Sequence, residues 1–172
     1  MTEDHTLIIR AEDPDDRKTV AALLREAFGG DKEVQLMEKL YSGEELSLSL
    51  VAESGGEIAG HIAFTRAPVA GPDGKSEVAW LAPLAVRPDS QRQGIGSSLV
   101  FAGLESCLML GFSHAVVLGY PDYYSRLGFS AEAASKVTSR WPKEALMVAP
   151  LSEDVPALEG ELGDPAAFAV FE

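Results

Sequence analysis

The stretch VRPDSQRQGIGSSLVFAGLE, residues 86–105, ends a β-like run, turns through polar residues and then opens a helix. Gly94 and Gly96 stand in the opening turn, although a glycine inside a helix costs roughly 1 kcal/mol against alanine. The first amides of a helix have no intrahelical partners and sit at the positive end of its dipole, so an anion such as a phosphate is their natural guest. Glycines would let phosphate oxygens reach the amides of residues 91–98, with charge from Arg92 and hydroxyls from Ser97 and Ser98. Close packing of the helix on a neighbouring strand would explain the same glycines equally well. Two familiar phosphate loops are excluded: GIGSSL carries no lysine for a P-loop, and Leu99 occupies the third glycine position of the dinucleotide fingerprint.

The strand feeding this turn, SEVAWLAPLAV, holds Pro83 in its interior. Proline cannot donate to a β ladder and is tolerated at an edge or a bulge, so one side of the strand is expected to lie unpaired near Pro83. An extended ligand carrying amides could pair there as an added strand. Together the two features suggest one ligand: an amide-containing arm along Leu84, Ala85 and Val86, running into a pyrophosphate at the turn of Gln91, Arg92, Gln93, Gly94, Ile95, Gly96, Ser97 and Ser98. Coenzyme A has that layout.

Outward from this centre, strands mix with helices in an α/β or α+β arrangement. TLIIRAED reads as a first strand, PDDRKTVAALLREAFGG and DKEVQLMEKLYSG as two amphipathic helices. LSLSLVAE and EIAGHIAFTRAPV form a hairpin through SGG. The helix is expected over 91–110 with Ile95, Leu99, Ala102 and Met109 on its buried side. HAVVLGY, FSAEA and EALMVAPL read as three further strands. Residues 1–151 are expected to form the domain and 152–172 an acidic, proline-interrupted tail lying over it, anchored by Phe168 or Phe171.

The net charge of −13, from 27 acidic against 14 basic residues, argues against nucleic-acid and anionic-membrane partners, which need lysines and arginines. It admits cationic substrates, amines among them. No apolar run approaches the roughly 20 residues of a membrane span, and no secretion signal opens the chain. With Cys107 as its single cysteine, the protein reads as cytoplasmic.

After the fifth strand comes GYPDYYSRLGF, with Tyr120, Tyr123, Tyr124 and Phe129 inside ten positions. Tyr120 and Tyr123 read as core. A tyrosine hydroxyl, with an ordinary pKa near 10, can donate a proton at neutral pH.

QRQGIG and YYSRLGF, on either side of a strand, resemble the two signatures of the GNAT superfamily of acyl-CoA-dependent N-acetyltransferases. Gln91, Gly94 and Gly96 meet the pattern Q/R-x-x-G-x-G/A, and Tyr124, Gly128 and Phe129 meet Y-x-x-x-G-F. The resemblance implies a mixed, mostly antiparallel sheet splayed between its fourth and fifth strands and flanked by helices, with acetyl-CoA in the opening. Backbone groups of Leu84 and Val86 would hold the pantetheine arm, and amides of the glycine turn the pyrophosphate. An N–H of the fourth strand would polarise the thioester carbonyl, and Tyr124 would protonate the leaving thiolate. A primary amine, on a small molecule or a protein, would attack directly, leaving Cys107 no nucleophilic part. Glu33, Glu77, Asp122 or a water could take the amine's proton. His61 is expected to be a hydrogen-bonded structural histidine, and His5 and His114 to be incidental, with no metal site. The resemblance allows a homodimer. The reading from another class is an acyl-CoA-binding or sensor domain without an acceptor site.

Overall fold

The computed structural model describes residues 6–172, so His5 lies outside the described residues. Its centre is a mixed sheet of strands β1 (Leu7–Ala11), β2 (Leu46–Ser54), β3 (Glu57–Gly71), β4 (Gly74–Val86), β5 (His114–Leu118) and β7 (Leu146–Pro150), in that spatial order. Short strands β6 (Val137–Thr138) and β8 (Gly160–Leu162) pair with each other, and β8 also adds to β3. Every pairing along the main path is antiparallel except β4 with β5.

Helices cover both faces. Helices α1 (Arg17–Phe28) and α2 (Lys32–Ser42) lie on one face, where Leu24, Leu36 and Met37 meet Val51, Ala63 and Trp80. A capped 3-10 turn, Pro14–Asp16, leads into the first of these: the Asp13 carboxylate accepts the Asp15 N–H and the Asp16 carboxylate accepts the Asp13 N–H. Helix α3 (Ile95–Met109) lies on the other face, over Ile62, Phe64 and Phe129. Alternation along β3 builds both cores, since odd and even residues point to opposite faces.

The parallel contact between β4 and β5 covers only two pairs, Ala79 with Ala115 and Trp80 with Val116. Beyond Trp80 the strands diverge. At the point of divergence β4 carries an extra residue against β3, between the pairs Ile62–Leu84 and Phe64–Leu81. Pro83 sits in that bulge, as its missing N–H requires, and the Ala82–Pro83 peptide bond is cis. The strand is central in the sheet, yet its last residues face a gap rather than a neighbour.

Three local expectations are corrected. The helix starts at Ile95, because Arg92 and Gly94 both hold positive φ and the chain is still turning. Its buried side runs through Ile95, Leu99, Val100, Gly103 and Cys107, while Met109 at its last turn is exposed. FSAEA is not a strand: Ser130 makes a single bridge to Val148, and its hydroxyl then accepts the Ala133 N–H to turn the chain into a 3-10 helix at Glu132–Ala134.

Candidate active site

The gap left by the diverging strands is lined first by β4 and the glycine turn. The residues of β4 alternate in where they send their backbone groups. Arg87 donates its N–H to Ala59 O at 2.8 Å. The two-residue period of an antiparallel ladder then turns Ala85 toward its partner His61. The amides and carbonyls of Leu84 and Val86 consequently point into the gap. Gln91 fastens the turn to this edge by donating its side-chain amide to Val86 O at 3.2 Å.

The first intrahelical bond of α3 runs from Ser98 N–H to Gly94 O at 3.0 Å, leaving the N–H groups of Ile95, Gly96 and Ser97 without helical partners. No side chain caps them. Gly94 has φ of +82° and open space where a Cβ would stand, so its backbone is accessible from outside. Arg92, at φ +66°, stores the strain of a side chain in the left-handed region beside these amides. The result is a cavity of about 380 Å³ lined by Leu84, Val86, Gln91, Arg92 and the segment from Gly94 to Ser97. Ala85, Gln93 and Ser98 do not line it; Ala85 is buried toward the α1/α2 face.

The structure divides the answer to the glycine question. Gly94 supplies the turn and the open approach. At Gly96 a Cβ would come within 2.6 Å of the Tyr123 hydroxyl, so the missing side chain there makes room for a tyrosine. Tyr123 and Ser90 are cavity residues that the sequence reading missed. Tyr120 and Tyr123 are exposed rather than core, because they sit on the short helix α4 (Pro121–Tyr124) and its cap, where the sheet has already opened. The pairing of a tyrosine with a glycine 27 positions earlier in the sequence leaves no local signal.

A second cavity, of about 300 Å³, opens on the α1/α2 side of the gap and shares Leu84 with the first. Tyr124 lines it. The ring is held edge-on between Tyr123 and Phe129, at centroid distances of 5.0 and 5.7 Å. Gly119 leaves the space it occupies, since a Cβ there would lie 2.3 Å from Tyr124 Cε2. Burial pushes the Tyr124 hydroxyl up to about 12, with a smaller contribution from Tyr123, so it stays protonated at neutral pH.

The three candidate carboxylates part company. Glu33, on the first turn of α2, lines the same cavity as Tyr124. Glu77 pairs in register with Pro68 near the far end of the β3–β4 hairpin, 3.9 Å from Arg66, and lines neither cavity. Asp122 is exposed on α4 and also lines neither. Cys107 is fully buried against the sheet, and burial raises its thiol to about 12. His114 donates its Nε2–H to Pro156 O, 2.8 Å away.

His61 is fully buried under α1 and α2. Its Nε2 lies 2.8 Å from Ser49 Oγ, and Ser49 donates its one hydroxyl proton to Glu12 Oε1 at 2.8 Å. The proton between His61 and Ser49 is therefore carried by Nε2, which leaves Nδ1 bare and, among the described residues, without a partner. Tyr41 completes the network by donating to Glu12 at 2.7 Å. Burial lowers the imidazole to about 3, so His61 is a neutral structural group.

Residues 8–131 match the family model described as an acetyltransferase (GNAT) domain. The chain is 38% identical over 162 residues to the uncharacterized N-acetyltransferase YhbS of Escherichia coli K12, covering 91% of this chain and 93% of that protein. The crystal structure of E. coli YhbS in complex with CoA superposes with a TM-score of 0.87 at 33% identity, covering 98% of this chain and 95% of the other. A GNAT family acetyltransferase from Brucella melitensis in complex with acetyl-CoA gives a TM-score of 0.78 at 30% identity, covering 95% and 99%. The splayed sheet, the uncapped helix start and these similarities lead to one conclusion: the chain belongs to the GNAT superfamily of N-acetyltransferases.

Proposed function

We propose that the protein transfers an acetyl group from acetyl-CoA to a primary amine by direct attack. The observation that carries this reading is the junction at Leu84, where a cavity floored by free helix amides meets a cavity lined by a half-buried, protonated tyrosine and a carboxylate. The residues fit a coenzyme A thioester. Ile95, Gly96 and Ser97 offer unpaired N–H groups to a pyrophosphate, with Arg92 beside them. Leu84 and Val86 offer strand-like pairing to the amide arm. Acetyl-CoA brings an activated acyl group; the protein brings orientation and protons.

Glu33 accepts the proton of the bound ammonium, directly or through water, which frees the nitrogen lone pair. A β4 N–H donates to the thioester oxygen as negative charge develops there. The new C–N bond forms as the C–S bond breaks, the attacking nitrogen gives up its second proton to water, and Tyr124 donates its hydroxyl proton to the departing sulfur. Solvent returns a proton to Tyr124. The products are the acetamide and free coenzyme A.

Two measurements test this. Thiol release from acetyl-CoA, matched by acetamide formation across an amine panel, is expected; coenzyme A binding with no release for any amine would leave only a binding domain. Coenzyme A at a hundredfold excess over Kd is expected to stabilise the fold by about 2.7 kcal/mol. In Gly94→Ala a Cβ must enter the left-handed region, so the turn resists its shape by roughly 1–2 kcal/mol. Its Kd for coenzyme A, read by calorimetry, is expected to rise about tenfold.

A further inference from the structure

The cavity holding Tyr124 and Glu33 does not end at the reacting centre. Along Leu81, Ala82, Leu118 and Phe171 it meets a third cavity, of about 240 Å³, whose remaining walls are Trp80, Trp141 and Phe168. Among the described residues, Glu33 is the one charged residue lining the two. We propose that the acceptor is a primary amine joined by a short linker to an aromatic or similarly flat apolar body. This rests on the acetyl-transfer reading above.

The polar end of the acceptor lies at Glu33 and Tyr124, and its body fills the aromatic end. That end is rigid. Trp80 and Phe168 meet edge-to-face at 4.9 Å, and Phe168 and Phe171 at 5.9 Å. The indole N–H of Trp141 donates to Asp164 at 2.7 Å, and the Arg140 guanidinium covers the ring at 4.0 Å. Phe168 and Phe171 belong to the closing 3-10 segment Ala166–Phe171. Glu45 holds that segment by accepting the N–H of Ala166 at 2.9 Å, and Lys32 donates to Val170 O at 2.9 Å. A preformed aromatic wall gains binding from a flat apolar guest without first being ordered.

The same wall disfavours other amines. The second ammonium of a polyamine would enter a space with no carboxylate, beside a tryptophan already covered by a guanidinium. An amino sugar would leave its hydroxyls unpaired there.

The test compares phenethylamine, n-butylamine and spermidine at saturating acetyl-CoA. Phenethylamine is expected to exceed both others in kcat/KM by about 30-fold or more. In Phe171→Ala and Trp141→Leu the ratio of phenethylamine to butylamine is expected to fall about tenfold. Equal rates, a spermidine preference, or a ratio unchanged in both variants would overturn the proposal. Both tryptophans of the chain, Trp80 and Trp141, line this cavity, so their fluorescence reports its occupancy. Phenethylamine is expected to quench it in the coenzyme A-loaded protein. Quenching without turnover of any amine would refute acetyl transfer and keep the pocket assignment; neither quenching nor turnover would refute both.

Discussion

Tyr124→Phe is expected to lower kcat by about a hundredfold, the low end of what a positioned proton donor contributes, while coenzyme A affinity stays within about twofold of the wild type. The reason lies in what the substitution removes. Phenylalanine keeps the ring that packs between Tyr123 and Phe129, so the local fold survives. Only the hydroxyl is lost, and with it the proton offered to a leaving thiolate. Because burial holds that hydroxyl up to about 12, its ionisation lies above the working range and places no descending limb on the rate between pH 7 and 10. Single-turnover kinetics across that range check both statements. An unchanged kcat would remove Tyr124 from the reaction.

Acid is expected to destabilise the protein through His61. The folded imidazole titrates at about 3 and the unfolded one near 6.5, so the unfolded chain binds more protons between those values. The stability held above pH 6.5 is consequently lost as pH falls toward 3. Between pH 6.5 and 4 the loss from this group is roughly 3 kcal/mol by linkage. The cause is geometric: Nδ1 is buried with no hydrogen-bond partner among the described residues, and the Glu12 carboxylate is linked to the ring through Ser49. Denaturant unfolding at pH 7 and pH 4 measures the slope. His61→Gln, which has no proton to gain, is expected to flatten it relative to the wild type; an equal slope in both proteins would place the acid sensitivity elsewhere.

Much of this architecture is visible in local patterns. The alternation of EIAGHIAF, the capped 3-10 turn that leads into α1 and the Gly94 turn each follow from chemistry confined to a few neighbouring residues. Pro83 marks the bulge because a missing N–H is a property of that residue alone. Other features depend on contacts between distant segments. Met109 has helical spacing suited to the core but lies at the last turn of α3, where its side chain is exposed. FSAEA has strand-like residues, yet a serine hydroxyl captures a backbone amide and ends the pairing at one bridge.

The sequence by itself determined the family of fold, the glycine turn and the tyrosine that follows β5, since each is written in residues whose backbone or hydrogen-bonding limits act locally. Only the tertiary structure decided that Glu33 shares a cavity with Tyr124 while Glu77 and Asp122 do not, that Tyr123 fills the space beside Gly96, and that Phe168 and Phe171 close an aromatic pocket with two tryptophans. Those are proximities between segments far apart in the chain. They arise from how the strands diverge and where the closing segment lies, which no short stretch of residues encodes.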